Sequence, residues 1–210
     1  MASSDFTRSR HIGLLGPRDP SAVDSAIGET GARETIAGLE RLGLRPRLYT
    51  SDEAAPDVRA SHRIGNAVTS CIRIRGRMAL HVNRLATAPL RYLAALGSAA
   101  LRHRAGLAEF DVAVRLTNTL RRDGIVHLHA YDLACASLAE SVARLTGLRF
   151  STSMASVTLD EANRRAMKRS LTAAHFTLMP TDTALGAVKA IAPDAAVHRV
   201  YPGVDYRHYC

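Results

Sequence analysis

A chain of 210 residues with a formal charge of +9 is long enough to fold as one large α/β domain around its own core. Trp is absent, and Cys71, Cys135 and Cys210 are scattered and odd in number, which excludes a disulfide framework and a cysteine zinc site. No stretch approaches the roughly 20 apolar residues of a membrane-spanning helix. The apolar run after the basic start is too short for a signal-peptide core, so residues 1–10 read as a disordered tail and the expected compartment is the cytoplasm.

Residues 11–15 (HIGLL) predict a first strand ending at Gly16-Pro17. A helix follows over 31–43, with Ala32, Ile36, Leu39 and Leu42 on its buried side, Glu34 in its first turn, Arg41 near its end and Gly43 as the stop. Residues 45–50 (RPRLYT) predict the second strand and complete a βαβ unit. Gly16, Gly28 and Gly31 can bring backbone amides to an anion at a helix N-terminus, or can simply serve turns and close approach. Neither G-x-G-x-x-G nor G-x-x-x-x-G-K-[ST] occurs, which excludes the dinucleotide fingerprint and the P-loop.

Residues 54–108 are less regular. A helix over 79–102 is expected, interrupted at Pro89, with Leu80, Leu85, Leu90, Leu93, Leu96 and Leu101 as its apolar positions. No acid lies between Arg59 and Glu109, whereas Arg63, Arg73, Arg75, Arg77, Arg84, Arg91, Arg102 and Arg104 do. A one-sign block of this kind fits an anionic partner such as lipid head groups, nucleic acid or phosphorylated substrates, and fits equally a solvated face of a core-packing helix. The basic amphipathic alternative lies in a membrane interface.

A helix over 110–122 ends at Gly124. The stretch 125–145 (IVHLHAYDLACASLAESVARL) then organises the chain: a short apolar strand, a polar junction at His129-Ala130-Tyr131-Asp132, and a helix polar only along Ser137, Glu140, Ser141 and Arg144. A helix so apolar is buried on most sides, and its strand on both faces. The junction falls where open α/β sheets bind ligands. Gly147 ends the helix, and strands over 148–152, 176–179 and 197–201 alternate with helices over 159–173 and 182–191, the latter with Asp182 as N-cap. This alternation predicts a doubly wound, mostly parallel α/β sheet.

Little here carries chemistry by residue type alone. His127 and His129 share one strand face, but no further ligand completes a metal site, so His127 reads as a hydrogen-bonded core histidine and His129 as the better ligand contact. Asp132 reads as a helix cap and Cys135 as a small core residue. No nucleophile elbow occurs. Without a recognition motif or interleaved aromatics, nucleic acid is not an expected partner.

The run DGIVHLHAYDLACASLAESVARLTGLRFSTS resembles the amino-terminal half of family 4 glycosyltransferases of GT-B fold, and most closely the exopolysaccharide and colanic-acid branch. His127, His129 and Ala130 match that family's H-x-H-A-H-F, with Tyr131 in place of the last histidine. VHRVYPGVDYRHY is similar to its V-x-x-[IV]-x-[NHP]-G-[VI]-D-x-x-x-F, which leads into the second domain. The resemblance covers residues 110–209 by motif and the first hundred by pattern. It departs at Thr152-Ser153-Met154-Ala155, where Met154 occupies the position of a histidine near the transferred sugar. A thioether cannot hydrogen-bond a sugar hydroxyl as an imidazole does.

The resemblance implies a Rossmann-like acceptor-side domain over 11–205, with 206–210 opening an interdomain linker, in an enzyme that moves a sugar from a nucleotide sugar to a saccharide or lipid-linked acceptor. Gly16, His129, Tyr131, Ser153 and Met154 would border the acceptor cleft. Arg73, Arg75, Arg77, Arg84, Arg91, Arg102 and Arg104 would face the anionic inner leaflet of the membrane. No cofactor is implied for this domain, because the nucleotide sugar belongs with a separate donor-binding domain; no catalytic residue is assigned. The alternative is a catalytically inactive relative serving as a binding or scaffold module.

Overall fold

The computed structural model describes residues 11–16, 29–50, 63–64, 67–71, 77–100, 103–154 and 161–201. In chain order these form β1 (His11–Gly16), α1 (Glu29–Arg41), β2 (Arg45–Thr50), β3 (Arg63–Ile64), β4 (Ala67–Cys71), α2 (Arg77–Thr87), α3 (Pro89–Ala100) and α4 (His103–Arg122). Then follow β5 (His127–Ala130), α5 (Leu133–Thr146), β6 (Arg149–Ser153), α6 (Glu161–Ala173), β7 (Thr177–Met179), α7 (Asp182–Ile191) and β8 (Val197–Arg199).

The strands make one sheet in the order β3-β4-β2-β1-β5-β6-β7-β8, parallel throughout except for the antiparallel β3–β4 pair at one edge. The order reverses between β1 and β5, so the predicted junction after β5 stands at the topological switch point of the sheet. This is the α/β doubly wound architecture expected from the alternation of elements.

Alternation along each strand decides what faces what. Leu15, Tyr49, Leu128, Ala130, Phe150 and Met154 point to the main core, which they share with Phe110, Val114, Leu116 and Leu120 of α4 and Ala136, Ala139 and Val142 of α5. The opposite face holds a smaller cluster, Leu14, Leu48 and Tyr131 closed by Ile36 of α1. Gly13 belongs to the main-core side, where a Cβ would stand 2.9 Å from Leu128 Cδ1 and 3.3 Å from Tyr49 Cε2; only glycine fits under that packing.

Helix α5 lies between α4 and α6, and both neighbours reach its polar stripe. Ser137 and Ser141 donate to the Glu109 carboxylate of α4 at 2.8 and 2.7 Å. Glu140, 1 % exposed, accepts from Arg144 within its own helix and from Arg169 and Ser170 of α6, at 3.0–3.1 Å. Asp132 caps the helix, accepting from Cys135 N at 2.5 Å, and Gly147 closes it in the left-handed region at φ 80°.

Several boundaries differ from the expectation. The third long helix starts at His103 rather than 110, and the strands β3 and β4 occupy part of the irregular stretch. Thr181 rather than Asp182 caps α7, accepting from Ala184 N at 3.2 Å, because Asp182 is already helical and pairs with Arg199 of β8. The break at Pro89 is slight: Ala88 N donates to Arg84 O and Tyr92 N to Ala88 O, so the helical ladder continues across it. Proline at the first helical position lacks only an N–H that would have no helical partner there.

The Glu140 network makes a stability prediction. Glu140→Gln removes the charge that Arg144, Arg169 and Ser170 share, and should lower the unfolding free energy by about 2–3 kcal/mol in urea denaturation. Arg144→Ala should cost less than about 1 kcal/mol, since that guanidinium is half in water. Equal losses for the two variants would contradict this ranking.

Candidate functional site

The carboxyl ends of β1, β5 and β6 meet at the switch point. Gly16 is the last residue of β1, and the β1–β5 ladder runs on past the strand as Tyr131 N donates to Leu15 O at 3.2 Å. On the other side, Thr152 Oγ1 donates to Ala130 O at 3.1 Å and Met154 N donates to Leu178 O at 3.2 Å, tying β6 to both neighbours. The first turn of α5 opens at the same edge, capped by Asp132.

On the α1 side of β5 and β6 the side chains form a polar row. His127 Nε2 lies 2.8 Å from Ser151 Oγ, that oxygen lies 2.8 Å from His129 Nδ1, and His129 Nε2 lies 3.1 Å from Ser153 Oγ. Each serine hydroxyl has one hydrogen, so the row is satisfied in either of two senses. In one, His127 donates to Ser151, Ser151 to His129, and His129 to Ser153; in the other every donor reverses. The His127 ring stacks on Phe176 at 6.0 Å, and the His129 ring meets Tyr131 edge-on at 5.1 Å.

These groups are uncharged near neutral pH. Burial, reinforced by His127, pulls the His129 imidazole down to about 4. Burial also lowers His127, with His175 and Arg149 adding repulsion. The Tyr131 phenol is pushed up to about 12 by burial, against a smaller opposing effect of the neighbouring Thr35 side chain. Burial and the neighbouring Asp132 raise the Cys135 thiol, which is therefore no nucleophile. The row can donate and accept hydrogen bonds with neutral hydroxyls but supplies no fixed charge.

The expected cleft residues thus assemble at one edge, with unequal exposure. Ser153 and His129 are part-exposed; Tyr131 is packed beneath α1, and Met154 belongs to the main core. Ser151 was not singled out from the sequence, although its place one pair across from His129 links the two histidines. Its signal was the strand alternation of Ser151 and Ser153. Among the described residues no cluster of His, Cys, Asp or Glu suits a metal ion.

The arginines expected on a membrane face divide. Arg73, Arg75 and Arg102 lie outside the described residues, as do the side chains of Arg77 and Arg104. Arg91 is exposed on α3, where its Nη1 donates to Thr146 O at 2.6 Å. Arg84 is not on the surface at all: it is 4 % exposed. No helix among the described residues is long and apolar enough to cross a membrane.

No protein-family model matches the chain, and no curated protein matches its sequence. Solved structures do match its fold. A glycosyltransferase from Rickettsia africae ESF-5 aligns over 96 % of this chain and 45 % of its own, with a TM-score of 0.58 and 11 % identity. A sucrose-phosphate synthase from Thermosynechococcus elongatus aligns over 94 % of this chain and 49 % of its own, with a TM-score of 0.58 and 10 % identity. A shorter chain of that synthase is covered over 92 % of its length at a TM-score of 0.56. The chain spans a little under half the length of the first two.

The neutral row titrates at a defined place. The folded chain keeps His129 unprotonated down to about pH 4, whereas a free imidazole protonates near 6.5. Between these values the unfolded state binds the extra proton, so the stabilisation is complete above about pH 6.5 and is lost as pH falls toward 4. Its ceiling is on the order of 3 kcal/mol. Melting temperature measured across that window should fall on acidification, and His129→Gln should flatten the fall; an unchanged slope would mean that His129 is not the group responsible. The chain shares the fold of the aligned part of these glycosyltransferase and sucrose-phosphate synthase structures.

Proposed function

We propose that this chain is the acceptor-side half of a glycosyltransferase, of the GT-B type and the family 4 branch that builds surface polysaccharide. The observation that carries the reading is a neutral hydrogen-bonding row, His127-Ser151-His129-Ser153, ending at the switch-point edge of a domain whose structural neighbours are glycosyltransferases. Sugar hydroxyls are both donors and acceptors, and a row that reverses its polarity without charge suits either role. Ser153 and His129 would hold a hydroxyl of the saccharide or lipid-linked acceptor, with Gly16, buried at the end of β1, bordering the same edge.

The nucleotide-sugar donor would be bound by a separate domain. The arginine-rich segment beside α2 and α3 would meet the anionic inner leaflet, placing a lipid-linked acceptor within reach; Arg91 is the exposed member of that set among the described side chains. One observation favours a non-catalytic relative instead. Met154 is 3 % exposed and wholly in the core, so it offers no polar group where the related enzymes have a histidine.

Calorimetry separates these readings. The isolated chain should not bind UDP-glucose measurably, but should bind a short-chain polyprenyl-pyrophosphate monosaccharide, with Ser153→Ala weakening it about three- to tenfold for one lost hydrogen bond. Micromolar binding of UDP-glucose would overturn the division of labour. Acceptor binding without sugar transfer when a GT-B donor domain is supplied would favour the binding module.

A further inference from the structure

Among the described residues Arg84 has no counterpart for its charge. Its Nε and Nη2 are buried and have no hydrogen-bond partner among them. Burial, reinforced by the charges of Arg121 and Arg91, pulls its guanidinium below the ordinary range. On α4 and just after it, Asp111 pairs with Arg115 and His81, and Asp123 with Arg47 and Tyr49. Burying an unpaired cation costs several kcal/mol, and two more cations beside it raise that cost.

The arrangement follows from the helices. The ladder that runs through Ala88 puts Arg84 and Arg91 seven residues, two turns, apart along one continuous face. Arg121 comes from the last turn of α4. Arg91 is held in place by Thr146 O, at the end of α5. Both helix ends lead into strand starts, so the three arginines gather at the amino edge of the sheet, away from the switch-point site. In a guanidinium, Nε–H and Nη2–H are the parallel pair along one side of the fork, the edge that takes two oxygens of a phosphate or carboxylate.

We propose that Arg84, Arg91 and Arg121 form a binding site for a phosphate-type oxyanion: the Nε–Nη2 edge of Arg84, covered in the ligand-free chain, turns to two of its oxygens on binding, and the other two arginines neutralise the remaining charge. Three cations with no carboxylate bound to them among the described residues favour a multiply charged phosphate over a lone carboxylate. The proposal does not depend on the sugar-transfer reading. The anion comes from a soluble phosphate or from a phospholipid head group; on the same two helices Met78, Val82 and Leu90 are largely exposed, and would meet acyl chains in the second case.

Thermal-shift and calorimetric titration of the whole chain with inorganic phosphate, against sodium chloride at equal ionic strength, tests this. A saturable rise in melting temperature is expected with phosphate, and binding should weaken at least roughly tenfold in Arg84→Gln and in Arg121→Gln. Arg121 is exposed, so that variant folds regardless. Arg84→Gln should also raise the melting temperature of the ligand-free protein, because it removes an unpaired buried charge. A parallel titration with dihexanoyl phosphatidic acid, with the phosphatidylcholine of the same chain length as control, identifies the source: a response to phosphatidic acid alone assigns a lipid phosphate, and a response to both assigns the phosphate group itself. No response to either anion beyond chloride, or full binding by both variants, would overturn the proposal.

Discussion

The structure depends on how α5 is buried. A helix enclosed by the sheet, α4 and α6 cannot leave its polar side chains to water, so each must be satisfied by a neighbour. Glu109 of α4 takes Ser137 and Ser141, and Glu140 takes Arg169 and Ser170 of α6. These contacts fix the rotation and depth of α5, and with them the height at which Asp132 and the end of β5 emerge at the switch point. The switch-point edge is set by polar contacts one to two and a half helical turns away from it.

Strand alternation then sorts β5 into two jobs. Leu128 and Ala130 close the main core, while His127 and His129 turn to the face that α1 covers only over β1 and β2 among the described residues. The same parity on β6 sends Phe150 and Met154 inward and Ser151 and Ser153 beside the histidines. A one-residue shift of register between β5 and β6 would place serines against the core and phenylalanine in the polar row, so the row and the core enforce the same register.

What the sequence made legible was the part governed by periodicity. The stretch 125–145 could be read because its apolar run, its Asp132 cap and its Gly147 stop all agree with one strand–helix unit, and the structure has each of them. The strands β3 and β4 were missed because two residues, Arg63 and Ile64, and a small polar run, AVTSC, carry no apolar alternation. The start of α4 was hidden by Arg104 and Gly106, which weaken the helical pattern ahead of Phe110. The polar stripe of α5 was read correctly as a stripe, but its partners, Glu109 and Arg169, lie about 30 residues away in sequence and no local pattern names them.

Arg84 marks the deepest limit of such reading. On α2 hydropathy and burial run against each other: Met78 and Val82 are exposed and Arg84 is covered. A pattern-based reading assigns arginine to the surface because desolvating a lone cation is costly. That cost is what gives the exception its meaning, since the fold tolerates it beside two further arginines at the amino edge of the sheet. At the opposite edge His129 and Tyr131 are both held uncharged by burial, beside the Asp132 carboxylate that caps α5. Among the described residues, the buried Arg84 thus lies away from the proposed acceptor cleft. The two proposed sites would divide uncharged hydroxyl recognition and anion attraction between the two ends of one sheet, so a phosphate drawn to the amino edge would not compete with a saccharide held at the carboxyl edge.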